Sequence, residues 1–264
     1  MKNIIICGDS FSIGIGCHDL KNEPYGSLLS KRLDRNLINM AKGSSSNFSI
    51  FLQVKYIIEK YSEIDFVCVA PTSYNRTEWF PENYKNKKMD LNNTDVNYHQ
   101  YPPYHRNSYI EKLENPMKDD KNYTGEMFTE NFYGIIDYVD TIIKPKKNNT
   151  DYFAKFNTER PERLKLLYDY YFEIFDERIQ RQYDIGVIVM SHLLLKNKNI
   201  NHLILSDDSY FSSFVPEENL VPVNWGLLSL NYPDDLKTLH TSSEGQKMVY
   251  ELILKKLKNN NWIN

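Results

Sequence analysis

An α/β fold around a parallel sheet is what three features of this 264-residue chain predict. Asn3 to Cys7 is a continuous apolar run that stops at Gly8, the pattern of a strand buried on both faces. From there to Ala70, short apolar runs alternate with stretches of helical spacing, joined by short polar loops, as βαβ units require. A closing amphipathic stretch at the C-terminus supplies a last helix to cover the sheet.

The elements follow in order. Tyr25 to Arg35 places Leu28, Leu29 and Leu33 at helical spacing, and Leu37 to Met40 is a short second strand. Asn47 to Tyr61 reads as a helix and Asp65 to Ala70 as a third strand. From about Phe80 to Thr158 the periodicity fails, in a segment dense in Asn, Tyr, Lys and Pro that includes Asn92-Asn93, Pro102-Pro103 and Asn148-Asn149. So long a stretch is rarely one bare loop, and its tyrosines argue against disorder. The expectation is a single domain over residues 1–264, with a large polar insertion at about 80–158 forming a subdomain or lid with short elements of its own.

Helical spacing resumes at Glu162 to Arg181, with Leu166, Leu167, Tyr170, Ile174 and Phe175 on one side. Asp184 to Leu195 contains the β-branched run Val187-Ile188-Val189 and suits either a strand or a helix; helix is preferred, because His202 to Leu205 makes the better strand directly afterwards. Thr241-Ser242-Ser243-Glu244 has capping-box spacing, and Val249, Ile253 and Leu257 form one stripe behind it. No internal repeat is present.

Composition excludes several functions. With 41% hydrophobic and 25% charged residues the chain has material for a packed core, which rules out a disordered or fibrous class. Lys plus Arg is 32 and Asp plus Glu is 35, a net charge of −3, so no global basic field exists to hold nucleic acid or an anionic membrane. Ile4 to Ile6 is too short for a signal-peptide core, and no segment reaches the ~20 apolar residues of a membrane span. A cytoplasmic protein is expected. Cys7, Cys17 and Cys68 are odd in number and lack CxxC spacing, so reduced core thiols are expected.

The sharpest motif is Gly8-Asp9-Ser10-Phe11-Ser12-Ile13-Gly14, placed where the first strand ends. Ligands of open parallel sheets bind beyond the carboxyl ends of the strands, so Ser10 has a functional position. Gly-Asp-Ser also suits an Asx turn that caps a helix. At the other end of the chain His240 directly precedes the last helix. A serine hydroxyl is a poor nucleophile at neutral pH and needs a neutral imidazole to take its proton; His240 is the candidate.

Together these blocks resemble the SGNH, or GDSL-type, hydrolase family. Its first block is matched by Gly8 to Gly14, and its last by His240, Ser242 and Gly245. The resemblance covers residues 1 to about 76 and about 185 to 258. It implies a three-layer α/β/α, flavodoxin-like fold and a serine esterase with Ser10 as nucleophile and His240 as base. It also implies an oxyanion hole drawn from the N–H of Ser10, the N–H of Gly43 or Ser44, and the side chain of Asn75, with Ser73 competing for that place. The family's acid lies three residues before the His, where this chain has Lys237, so Asp235 or Asp234 remains to orient the ring, with Asp235 preferred. Such chemistry requires no metal or organic cofactor.

The expected partner is a small-molecule or carbohydrate ester, with no nucleic acid and no membrane; the sequence is silent on oligomeric state. Two other readings are a binding or structural protein on the same fold that has lost turnover, and an acyltransferase. Gly14-Ile15-Gly16 is not a dinucleotide fingerprint, and Ser10 lacks GxSxG. His99 and His105 sit in a Tyr- and Pro-rich loop with no metal-ligand spacing; there Tyr101 and Tyr104 could line a substrate cleft.

Overall fold

The computed structural model describes residues 2–43, 45–72, 77–79, 128–130, 176–234 and 240–263. Five parallel strands form the main sheet: β1 (Asn3–Cys7), β2 (Asn36–Asn39), β3 (Ile64–Val69), then β6 (His202–Leu205) and β7 (Leu220–Val221). Their order is β2-β1-β3-β6-β7, every neighbouring pair parallel. β4 (Thr77–Trp79) and β5 (Phe128–Glu130) make a separate antiparallel pair, with Thr77 opposite Glu130. The rest of the expected insertion, with His99, Tyr101, Tyr104 and His105, lies outside the described residues.

Burial on both faces explains the unbroken apolar character of the central strands. Ile4, Ile5, Ile6 and Cys7 are all fully buried, alternating between two cores. Ile5, Cys7, Val67, Val69 and Ile204 face α3 (Asn47–Lys60) and α4 (Glu177–Asn197). Ile4, Ile6, Phe66, Cys68 and Leu203 face α2 (Tyr25–Leu33) and α6 (Ser243–Asn259). Helices therefore cover both sides of the sheet, a three-layer α/β/α architecture. Each fully buried aliphatic side chain contributes roughly 1.5–3 kcal/mol, so a polar residue in this stripe must be matched by hydrogen bonds.

The Asp184–Leu195 segment is helical, as preferred. Asp184, Ile185, Val187, Ile188, Ser191, His192 and Leu195 are buried, a helical rather than alternating pattern. Of the helix predicted over Glu162–Arg181, residues 177–181 open α4, with Asp176 as its cap, and the earlier part lies outside the described residues.

The C-terminal capping box is corrected. α6 starts one residue later than Thr241 would place it, with Ser242 at the N-cap and no side-chain cap bond. Thr241 is fully buried, and its hydroxyl turns instead to the carbonyls of Leu228 and Tyr232, 3.4 and 3.3 Å away at the end of α5 (Trp225–Asn231). These carbonyls already accept the N–H groups of Tyr232 and Ser242, and the buried hydroxyl shares them as a second donor.

The cysteines are free and buried. Burial pushes the Cys7 and Cys68 thiols far above their usual range and that of Cys17 up to about 11, so none carries thiolate character at neutral pH. Among the described residues no helix is long and apolar enough to cross a membrane.

Candidate active site

Strand order defines where a site can form. β2 lies on one side of β1 and β3 on the other, so the chain reverses direction across the sheet at β1. In open parallel sheets the ligand crevice lies at such a switch point, beyond the carboxyl ends of the strands. Ser10 begins a single helical turn, α1 (Ser10–Ile13), at that crevice.

Asp9 builds this turn. Its Oδ1 accepts the N–H of Phe11 at 3.0 Å, and its Oδ2 accepts the Thr72 hydroxyl at 2.7 Å from the loop after β3. The N–H groups of Ser12 and Ile13 donate to the Asp9 carbonyl. Among the described residues the Ser10 N–H has no acceptor, leaving one main-chain donor beside the serine oxygen. Gly14 closes the turn at φ 88°, a left-handed conformation that suits glycine. The Asx-turn reading holds, and the carboxylate that caps α1 also orients the residue next to it, Ser10.

His240 arrives from the far end of the chain. Its Nε2 lies 2.7 Å from Ser10 Oγ, across 230 positions of sequence. Phe11 packs against the imidazole with ring centroids 4.7 Å apart and against Trp225 at 5.4 Å, so the ring has an aromatic wall on one side. Asp234, 9% exposed, accepts the main-chain N–H of His240 on Oδ2 at 2.8 Å, and its own N–H donates to the His240 carbonyl at 3.2 Å. Asp234 therefore pins the His240 backbone through paired bonds. Asp235 and Lys237 lie outside the described residues.

The loop after β2 passes beside the same turn. Lys42 N–H donates to the Gly8 carbonyl at 3.1 Å, which brings Gly43 next to the serine-bearing segment. A Cβ at Gly43 would meet nothing within 4 Å, and its N–H has no acceptor among the described residues. Ser44, Ser73 and Asn75 lie outside the described residues.

Four side-chain amides hold the assembly, and sequence reasoning did not single them out. Gln53 bonds both main-chain groups of Gly8, and Asn47 bonds both of Thr72, at 3.1 and 2.9 Å. Asn39 donates to the Ser12 carbonyl at 3.1 Å, and Gln246 to that of Phe11 at 2.8 Å. A signal existed for two of them. Gln53 falls on the apolar stripe Ile50, Val54, Ile57, and Gln246 on the stripe Val249, Ile253, Leu257, and polar residues in such places need buried partners. Tyr25, whose hydroxyl burial holds well above its usual range, remains a neutral donor to Ser12 Oγ at 3.0 Å.

The fold and this pair define a three-layer α/β protein carrying a hydrogen-bonded serine and histidine at the switch point of its sheet. No family model matches the chain, and no curated protein matches it. Among solved structures it is similar to a protein of Desulfitobacterium hafniense DCB-2 named as lipolytic and of the G-D-S-L family. The two are 13% identical over 97% of this chain and 100% of the other, with a TM-score of 0.33. At that level of superposition the likeness says nothing about which side chains do chemistry.

Proposed function

We propose that this protein is a serine esterase that hydrolyses an acyl ester through an acyl-enzyme on Ser10. One observation carries the reading: Ser10 Oγ and His240 Nε2 lie 2.7 Å apart beyond the carboxyl end of β1. Ser10 Oγ attacks the ester carbonyl carbon while its proton passes to His240 Nε2. The carbonyl oxygen becomes an oxyanion facing the N–H groups of Ser10 and Gly43, with the Asn75 side chain as a third donor. Collapse expels the alcohol, which takes the proton from His240. Water, deprotonated by the same imidazole, then releases the acid and restores Ser10.

Each part has a magnitude. General-base assistance supplies roughly 10²–10⁴ in rate and an oxyanion donor roughly 10²–10³, so a serine with its histidine and two main-chain donors is sufficient for useful turnover. Asp234 supports the histidine by holding its backbone, and Asp235 is the proposed orienting acid. The polar, tyrosine-rich composition of residues 80–158 favours a polar ester such as an O-acylated carbohydrate over a long-chain lipid.

The test is p-nitrophenyl acetate turnover and fluorophosphonate labelling by wild type and Ser10→Ala. Wild type is expected to turn over and label, and the variant to do neither. A wild type that neither labels nor cleaves any acyl ester overturns the reading in favour of a binding protein on this fold.

A further inference from the structure

We propose that Gln53 is a positioning residue of this site: its buried amide holds Gly8 so that Ser10 and the Gly43 N–H face the same substrate carbonyl. The proposal rests on the esterase reading and adds a residue to it.

Gln53 lies in α3, fully buried, and accepts the Gly8 N–H on Oε1 at 2.8 Å while donating from Nε2 to the Gly8 carbonyl at 3.1 Å. The same Nε2 reaches Ser45 Oγ at 3.4 Å. The Gly8 carbonyl also accepts Lys42 N–H at 3.1 Å. One side chain thus meets the residue two before the nucleophile and the residue two after Gly43, and shares an acceptor with the residue before Gly43. A Cβ on Gly8 would lie 3.2 Å from Ala70 Cβ and closer still to Ser12, so Gly8 has little room to settle elsewhere without upsetting the turn.

Packing alone does not ask for glutamine here. Ile50, Val54 and Ile57 on the same stripe are fully buried and apolar, and a leucine or methionine would continue that surface. The amide's distinct contribution is to satisfy both main-chain groups of Gly8 in one fixed geometry. Catalysis is sensitive to such placement: a displacement of about 1 Å at reacting groups costs on the order of a hundredfold.

Two variants separate positioning from folding. Gln53→Met keeps the volume and loses both bonds. Gln53→Glu is isosteric: protonated, it offers a carbonyl acceptor and an O–H donor and reproduces the amide; ionised, it has no donor and turns a charge on the Gly8 carbonyl. Burial and that carbonyl both disfavour the anion, so the carboxyl titrates above its ordinary range. Activity is measured as kcat and KM for p-nitrophenyl acetate per mole of fluorophosphonate-titratable Ser10, from pH 5 to 9, with near-UV circular dichroism at each pH.

The expected result is a kcat lowered roughly tenfold to a hundredfold in Gln53→Met with KM little changed. In Gln53→Glu the ratio of kcat to wild type falls as pH rises while the folded signal persists. A merely structural role would reduce the amount of folded enzyme but not kcat per titrated site. If Gln53→Met does not fold, the pH trend of Gln53→Glu decides alone. An active wild type whose folded Gln53 variants keep kcat within about twofold at every pH overturns the positioning role and leaves the esterase reading intact. A wild type that neither labels nor turns over removes both.

Discussion

Gln246 Nε2 donates to the Phe11 carbonyl at 2.8 Å while Gln246 Oε1 accepts the Tyr25 N–H at 3.2 Å, so the first turn of α6 grips the turn that begins with Ser10. His240 stands just ahead of α6, and the grip therefore bears on the distance between serine and imidazole. Gln246 is fully buried, so deleting its amide leaves the Tyr25 N–H without a partner and the Phe11 carbonyl with only the Gly14 N–H, at 3.2 Å.

Gln246→Leu is expected to lose about 1–3 kcal/mol of stability, from the one buried N–H left unpaired, and to slow fluorophosphonate labelling of Ser10. Urea unfolding and labelling kinetics check both. An unchanged midpoint together with an unchanged labelling rate would show that the grip is dispensable.

Ser10→Ala and His240→Ala should each lower kcat at least about a thousandfold, since nucleophile and base act as one unit. Because neither side chain fills a core position, unfolding free energy should move by less than about 1 kcal/mol. Turnover that survives in either variant would point to a different nucleophile.

Asp234 serves His240 through a main-chain N–H, which needs an acceptor oxygen rather than a charge. Asp234→Asn keeps such an oxygen and should retain kcat/KM within about tenfold, whereas Asp234→Ala should lose considerably more. Equal losses in the two variants would mean that the charge itself acts on the imidazole.

Gly16 packs so closely on the Thr241 carbonyl that a Cβ would overlap main-chain atoms. Gly16→Ala must therefore push the His240 loop away, and both thermal stability and kcat should fall, the latter by roughly tenfold or more. Wild-type kinetics in this variant would contradict the close contact.

Acid sensitivity should come from a buried histidine pair. His192 Nδ1 lies 2.7 Å from His202 Nε2, and His202 Nδ1 lies 2.7 Å from the Ile200 carbonyl. A carbonyl only accepts, so His202 carries its proton on Nδ1, its Nε2 accepts, and His192 donates from Nδ1. Burial pulls the pKa of His202 down to about 4, from an ordinary 6.5, and that of His192 down as well, with the Lys196 cation adding to both. The unfolded chain then binds more protons than the folded one between these values. Stability is full above pH 6.5 and is lost as pH falls toward 4, by on the order of 3 kcal/mol for His202. Urea titrations at pH 7.5 and 4.5 measure the loss, and replacing both histidines with leucine should flatten it. A wild-type midpoint independent of pH over this range would refute the assignment.

Much of this architecture was legible from local pattern. The helical stripe at Val249, Ile253 and Leu257 carries a helical period, and the short unbroken apolar runs Asn3–Cys7 and His202–Leu205 are marked as strands by their length and flanking residues. The Gly8-Asp9-Ser10 block was legible for the same reason, because the Asx turn is made within it. The capping box at Thr241 misled because its spacing is local while the competing acceptors, on Leu228 and Tyr232, belong to another helix.

The linear chain by itself determined the α/β class, most of its strands and helices though not β7 or α5, and which oxygen and which imidazole to bring together, since these depend on side-chain type and near-neighbour spacing. Folding alone decided that Asp234 holds the His240 backbone, that Gln53 clasps Gly8, and that Gln246 spans from α6 to α1. The physical reason is range: a hydrogen bond is made within about 3 Å, and which groups come that close depends on how the layers pack, information that no spacing along the chain contains.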